Sequence, residues 1–329
     1  MYPEKIYYEP AALEYDLGKI LAAKYAHVPW IKIENHNKID ELRANPNTAF
    51  PQLKKYLIIG IRKTHKYVPN HKVSDYLVPY TSSGCSAMCL YCYLVCHYNK
   101  CSYLRLFVNR EEMLKKLLKT AAASRDLTFE IGSNSDLVLE NTITGNLAWT
   151  IEKFATGDRG FITFPTKFAQ VAPLLGLEHK GRTIMRMSVN PQSIIHKVEI
   201  GTASLKNRIQ AMNKMASAGY KVGLLIAPVI LVEDWRTQYS RLIEQLADEL
   251  SEQVKEQLFI EIIFMTYSFV HRAINSEAFP GSMELFDQEL MTGRGRGKYC
   301  YRLPLRQQGE QFFRTEIAKK LDVPIIYVV

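Results

Sequence analysis

The sequence predicts an α/β fold built on parallel strands, either a full or partial (β/α) barrel or an open wound sheet. Apolar runs rich in β-branched and aromatic residues recur at 76–80, 103–108, 127–131, 161–165, 183–187, 221–227 and 259–265. Such continuous apolar runs are the mark of strands covered on both faces. The segments between them carry helical periodicity, and a strand–helix alternation requires parallel strands joined by right-handed crossovers. The composition is that of a globular protein: 329 residues, 47% hydrophobic and 23% charged, with 17 Gly and 14 Pro. Disordered, collagen-like and low-complexity classes are excluded, and the length suits one large α/β domain or two small ones.

The elements follow in order. Residues 11–24 read as a helix and 56–61 (YLIIGI) as a short buried strand. The basic segment 62–72 reads as a surface loop, with Arg62-Lys63-Thr64-His65-Lys66 a solvated face. In 111–121, Met113, Leu114, Leu117, Leu118 and Ala121 share one helical face. A helix over 204–218 is bounded by Ser204 as N-cap and Gly219 as the stop. In 234–250 the stripe Trp235, Tyr239, Leu242, Leu246, Leu250 packs on a core. The longest apolar stretch, 222–232, is interrupted by Pro228 and is too short to span a bilayer. Residues 1–10 hold no apolar signal core, so no membrane association and a cytoplasmic location are expected. The formal charge of +9 suits a polyanionic partner without requiring one.

Five of the six cysteines fall between Cys85 and Cys101, a clustering that points to metal or redox chemistry in a cytosolic chain. Cys85, Cys89 and Cys92 form C-x3-C-x2-C just after the first strand of the array. Three thiolates can hold three irons of a 4Fe-4S cluster and leave the fourth iron open to a small molecule binding through oxygen and nitrogen. Zinc would want four ligands, typically two C-x2-C pairs, and only one pair is present; free buried thiols are the third reading. Tyr91, just before the last cysteine, is placed to shield a cluster. Ligands of such folds bind at the C-terminal strand ends. There the sequence puts Asn109, Gly132 to Asp136, Lys167, Ser188, Asn190 and Ala227-Pro228, small or polar groups where a barrel would place its ligand site. Glu261 faces either the interior or a buried partner. Near the end, Gly293-Arg294-Gly295-Arg296-Gly297-Lys298 is followed by Tyr299, Tyr301, Arg302 and Arg306. Glycines admit a phosphate to the backbone, arginines supply charge and tyrosines stack on bases.

The cysteine motif opening a βα array resembles the radical S-adenosylmethionine superfamily. A closer resemblance, over roughly residues 6 to 302, is to the spore photoproduct lyase family. It is carried by Tyr8-Glu9-Pro10, Gly60-Ile61-Arg62-Lys63-Thr64, Gly84 to Leu94, Phe129-Glu130 with Ser135-Asp136, Thr166-Lys167-Phe168, Gly201-Thr202 with Arg208, Ala227-Pro228 and Gly297-Lys298-Tyr299. The resemblance implies a partial (β/α) barrel of about six units over 76–270, a small N-terminal α/β extension over 1–75, and a C-terminal substrate- and DNA-contacting region with a hairpin over 271–329. It implies a 4Fe-4S cluster on Cys85, Cys89 and Cys92, and S-adenosyl-L-methionine contacted by Ser135, Lys167 and Ser188. A 5′-deoxyadenosyl radical would then reverse the 5-thyminyl-5,6-dihydrothymine dimer of ultraviolet-damaged DNA to two thymines. Tyr91 and Tyr93 would lie near the radical relay, Arg294 and Lys298 on DNA, and a small protein such as flavodoxin or ferredoxin would supply electrons. Two departures stand out. Where the Bacillus-type enzymes carry a hydrogen-donating cysteine this chain has Ser133, whose O–H bond is too strong to quench a carbon radical, and after Arg294 it has Gly295 in place of an aromatic. Cys96, Cys101 and Cys300 are extra thiols. Any of them is a candidate relocated donor, with a second metal or redox pair on Cys96 and Cys101, or plain core packing, as the other readings. The same chemistry on another substrate, or a non-catalytic metal-stabilised nucleic-acid-binding protein, remain the rival functions.

Overall fold

A computed structural model describes residues 2–123 and 126–329. Its described strands form sheets of five, eight and three. In chain order they begin with β1 (Lys5–Tyr8), β2 (Trp30–Lys32), β3 (Tyr56–Gly60), β4 (Val68–Pro69), β5 (Tyr76–Leu77) and β6 (Ser82–Ser83). The middle of the chain supplies β7 (Leu104–Phe107), β8 (Thr128–Glu130), β9 (Phe161–Thr166), β10 (Thr183–Val189), β11 (Lys221–Val229) and β12 (Ile260–Phe264). The last are β13 (Thr266–Ser268), β14 (Met291–Gly295), β15 (Lys298–Tyr301) and β16 (Ile325–Val328).

The large sheet has the order β16-β12-β11-β10-β9-β8-β5-β4. From β5 to β12 neighbours are parallel and follow chain order, the six strands expected of a curled partial barrel. The predicted crossover helices form over Arg110–Ala122, Leu205–Ser217 and Trp235–Glu249. Ser204 caps the second by accepting the Asn207 amide at 3.3 Å, satisfying a donor that would otherwise be orphaned. The helix expected at 11–24 breaks into a 3-10 turn, Pro10–Glu14, and a helix, Asp16–Lys24, because Tyr15 between them is extended.

Two segments depart from the sequence reading. The run at 103–108 does form a strand, but β7 lies in the N-terminal sheet, parallel to β3 and antiparallel to β6. Its apolar side chains fill that sheet's own core, where Leu104 and Leu106 pack with Leu57, Ile59 and Leu21. An apolar run reports burial, not which sheet buries it. Asn109 accordingly does not line the cavity at the barrel strand ends; its amide side chain accepts from the Arg62 N–H and donates to the Arg62 carbonyl, both at 2.9 Å. At the other end, the helix Leu303–Lys320 covers Trp235–Glu249 through Phe312 on Trp235 and Phe313 on Tyr239. It returns the chain so that β16 adds a seventh parallel strand beside β12. The C-terminal hairpin is present as β14–β15, with β13 on its other side.

Candidate active site

The cysteine loop leaves β6 at Gly84, whose φ of +78 and whose contact with the Tyr103 carbonyl (1.9 Å from an added Cβ) admit only glycine. The Gly84 amide donates to the Asn134 carbonyl at 2.8 Å, joining the loop to the end of β8. Further bonds pin the loop: Cys85 N–H to Ser102 O at 3.1 Å, Met88 N–H to Ile200 O and Leu90 N–H to Val198 O at 2.9 Å. Asn275 donates to the Leu90 carbonyl at 2.8 Å. The His271 ring meets the Cys92 carbonyl through Nε2 at 2.9 Å. A carbonyl only accepts, so Nε2 carries the proton and Nδ1 accepts from the Ser268 hydroxyl at 2.8 Å. Burial pulls the His271 pKa down, which agrees with a neutral ring.

Cys85, Cys89 and Cys92 face one cavity of about 710 Å³, and no other cysteine lines it among the described residues. All six cysteines are free. Burial pushes the Cys85 thiol up to about 12 and Cys89 well above its ordinary value. Bare, these thiols are protonated and poor nucleophiles; bound metal is what deprotonates a thiol in such surroundings. Among the described residues no group of three or more His, Cys, Asp or Glu side chains is arranged to hold a single metal ion. Three thiols on one cavity, each free to take its own iron, fit the donor set of a 4Fe-4S cluster with one open corner.

The rest of the cavity wall comes from the strand ends. Asp136 caps the helix Leu137–Thr144, accepting from the Val138 and Leu139 amides, and also from the Thr166 hydroxyl at 2.8 Å and the Lys167 amide at 2.9 Å. It thereby locks the ends of β8 and β9 together. The Lys167 ammonium donates to Ser188 Oγ at 2.7 Å and to the Ala227 carbonyl at 3.0 Å. Ser135 is hydrogen-bonded to Ser82. Ser135, Lys167 and Ser188 thus converge on the cavity with the cysteines.

Two buried ionic networks reach its wall, one through Tyr91 and the other through Arg186, Glu130 and Tyr327. The Tyr91 hydroxyl donates to Glu199, which also accepts from Asn190 at 2.9 Å and from Arg208 at 2.6 Å. Burial pushes the Glu199 carboxyl up, but the Arg208 and Lys167 charges outweigh it and hold it below the usual range. Arg186 on β10 pairs with Glu261 at 2.9 Å and with Glu130, and Tyr327 donates to Glu261. Glu261 therefore points inward to a buried partner. Sequence reasoning did not find Glu199. The available signal was Arg208, a charge on the otherwise apolar face made by Leu205, Ile209 and Met212, which demands a buried counter-ion.

Other candidates are dispersed. Tyr93 stands at the cavity with 51% exposure, and Ser133 lines it. Cys96 lies outside, its sulfur 3.5 Å from Ser268 Oγ. Cys101 is buried in the N-terminal core beside Tyr7, Ile58 and Tyr103; the structure brings it neither to the cavity nor into a pair with Cys96. Cys300 on β15 pairs with Thr266 of β13, which lines the cavity. Arg294 and Lys298 flank the hairpin turn, Arg294 exposed and Lys298 half-buried. Arg62 corrects the expectation of a solvated face. Its guanidinium donates to the Tyr80 carbonyl at 2.8 Å and sits 3.9 Å over the Phe107 ring, while Lys63, Thr64 and Lys66 remain exposed. Following directly on buried β3, Arg62 is drawn inward over β7.

A family model for spore photoproduct lyase matches residues 1–327. The spore photoproduct lyase of Bacillus subtilis (strain 168) is 34% identical over 309 residues, covering 91% of this chain and 90% of its own. That of Geobacillus sp. (strain Y412MC61) is 31% identical over 327 residues, 96% and 95% of the two chains. A solved structure of spore photoproduct lyase complexed with dinucleoside spore photoproduct aligns with a TM-score of 0.92 at 28% identity, over 99% of both chains. A mutant of spore photoproduct lyase with bound AdoMet and dinucleoside spore photoproduct aligns with the same TM-score over 100% of this chain and 99% of its own.

Proposed function

This chain belongs to the spore photoproduct lyase family, and on that premise we propose that it is a radical S-adenosylmethionine carbon–carbon lyase. Its substrate is the 5-thyminyl-5,6-dihydrothymine dimer of ultraviolet-damaged DNA, which it returns to two thymines. The observation that carries this reading is the convergence of Cys85, Cys89 and Cys92 on one cavity with Ser135, Lys167 and Ser188.

Cys85, Cys89 and Cys92 would hold a 4Fe-4S cluster, which with bound S-adenosylmethionine would supply the one-electron cleavage that yields a 5′-deoxyadenosyl radical. The chain's own residues do the rest. Lys167 spends two of its three N–H donors on Ser188 and the Ala227 carbonyl and keeps the third for an oxygen of the cofactor. Ser135 and Ser188 complete that polar wall. Tyr91, tied through its hydroxyl to Glu199, is a fixed side wall. Tyr93, whose hydroxyl makes no side-chain hydrogen bond among the described residues, stands at the mouth as the relay tyrosine. Hydrogen passes from C6 of the reduced ring to the 5′-deoxyadenosyl radical, giving 5′-deoxyadenosine; the methylene bridge breaks; a thiol gives its hydrogen to the thymine methyl radical, and the thiyl radical left behind is reduced by an electron from the donor protein together with a proton. Ser133 cannot supply that hydrogen. The thiols nearest the cavity wall by chain are Cys300, across from Thr266, and Cys96, against Ser268, and one of them is the donor in this reading. Arg294 and Lys298 hold the DNA backbone, and a flavodoxin or ferredoxin in the cytoplasm delivers the electron.

The test is anaerobic reconstitution with iron and sulfide, reduction by dithionite, and incubation with S-adenosylmethionine and a defined dinucleotide lesion. Release of 5′-deoxyadenosine together with thymine is expected. Zinc held in a closed four-ligand shell, or deoxyadenosine without thymine, would defeat the assignment. In Cys96→Ala and Cys300→Ala, loss of the donor is expected to divert product into trapped adducts; clean hydrogen return in both variants excludes these thiols.

A further inference from the structure

Lys54 ends the short helix Phe50–Leu53 and is 2% exposed. Its ammonium donates to the Cys85 carbonyl at 2.9 Å and to the Ser102 carbonyl at 2.8 Å, with Ser102 Oγ also at 2.8 Å and the Phe50 ring 4.8 Å below. Among the described residues no carboxylate lies within ion-pairing distance of it. The barrel treats its buried cations differently: Arg186 holds two carboxylates and Arg208 holds Glu199. Arg105, also buried on the Lys54 side, has no carboxylate partner among the described residues either: it donates to the carbonyls of His36, Tyr103 and Cys101 and lies over the Tyr98 and Tyr103 rings. Positive charge is therefore concentrated behind the cysteine loop with no carboxylate among the described residues paired to it. A buried charge without a partner is costly, and the anion that would balance it is the trio of thiolates on the other side of the loop.

We infer that Lys54 is the counter-charge of the bound cluster, a positioning residue that anchors the Cys85 backbone and raises the cluster's reduction potential. The inference rests on the proposed function, since it takes the cysteines to hold a cluster. Reduction adds one negative charge to the cluster, and a fixed cation in a medium of low dielectric favours the more negative state. Net charge and burial are the recognised levers on such potentials.

The experiment compares reconstituted wild-type holoenzyme with Lys54→Met, Lys54→Gln and Lys54→Arg. Iron and sulfide content is measured first, and the midpoint potential is then followed by electron paramagnetic resonance during a mediated titration. Methionine removes charge and hydrogen bonds; glutamine keeps a donor for the loop carbonyls and removes only the charge. At the wild-type midpoint, both are expected to show a reduced-to-oxidised ratio about tenfold lower, a shift of about 59 mV to more negative potential for a one-electron couple. Arginine is expected to stay near the wild-type value. A fully loaded Gln variant with an unchanged potential overturns the inference and leaves the lyase reading standing. A wild-type protein that assembles no cluster overturns both.

Discussion

Replacing Arg208 by Met removes the cation from an ion pair whose two side chains are both 0% exposed and whose atoms lie 2.6 Å apart. Removing one member of a buried pair leaves the other charge uncompensated, at a cost of ~3–5 kcal/mol. Arg208 also serves the Ala203 and Ser188 carbonyls at 2.9 Å and the Thr202 hydroxyl at 2.7 Å. Orphaning these acceptors pushes the expected loss toward the upper part of that range, about 4 kcal/mol or nearly a thousandfold in the folding equilibrium. The pH dependence carries the sharper signature. In the wild type the Glu199 pKa is lowered from 4.5, net of a burial effect that alone would raise it. Its contribution to stability is therefore present above the unfolded pKa and lost as pH falls through the folded one. Without Arg208 the burial effect dominates and the folded pKa rises above the unfolded one, so the variant loses stability as pH climbs from the unfolded pKa through the folded one. The gap between wild type and Arg208→Met should widen over that interval in urea unfolding of the anaerobically prepared protein, followed by circular dichroism. Adding Glu199→Leu removes the stranded charge and should recover about 2 kcal/mol. A loss below about 1 kcal/mol, or a gap that does not change with pH, would refute the reasoning.

Three further outcomes are expected. Gly84→Ala forces a methyl to within 1.9 Å of the Tyr103 carbonyl at a φ of +78; the cysteine loop should fail to close, with iron uptake lost and stability lowered by more than ~2 kcal/mol. Lys167→Met releases Ser188 and the Ala227 carbonyl, and isothermal titration should find S-adenosylmethionine binding to the reconstituted protein weakened about 10-fold to 100-fold at unchanged iron content. Arg294→Ala and Lys298→Ala should each reduce the salt dependence of lesion-duplex binding by about one phosphate contact while turnover of the isolated dinucleotide lesion stays at the wild-type rate.

Much of the array was legible because it rests on local patterns. The runs at 161–165, 183–187, 221–227 and 259–265 are continuous and apolar, and the structure makes β9 to β12 of them. Ser204 and Gly219 bracket a helix through capping chemistry that needs no tertiary context. The run at 103–108 was equally apolar, yet it entered the other sheet. Two sheets with dry cores ask the same thing of a strand, and only the packing of Leu104 and Leu106 against Leu57 and Ile59 separates them. For the same reason Asn109 read as a strand-end ligand and proved to be a loop anchor. Cys101 read as a candidate donor, a metal or redox partner, or plain core packing, and it lies in a core, since a buried thiol and a functional one are the same residue in a string.

The amino-acid order alone settles the spacing of Cys85, Cys89 and Cys92, the strand-and-helix rhythm, and the polar residues that end each strand, because all of these are relations between residues near in the chain. Which charges meet is settled only in three dimensions. Glu199 finds Arg208, Glu130 and Glu261 share Arg186, and Lys54 arrives behind the cysteine loop through separations of 9 to 75 positions. Electrostatic partnership depends on distance through space and on the dielectric around it, and neither is written in the order of the residues.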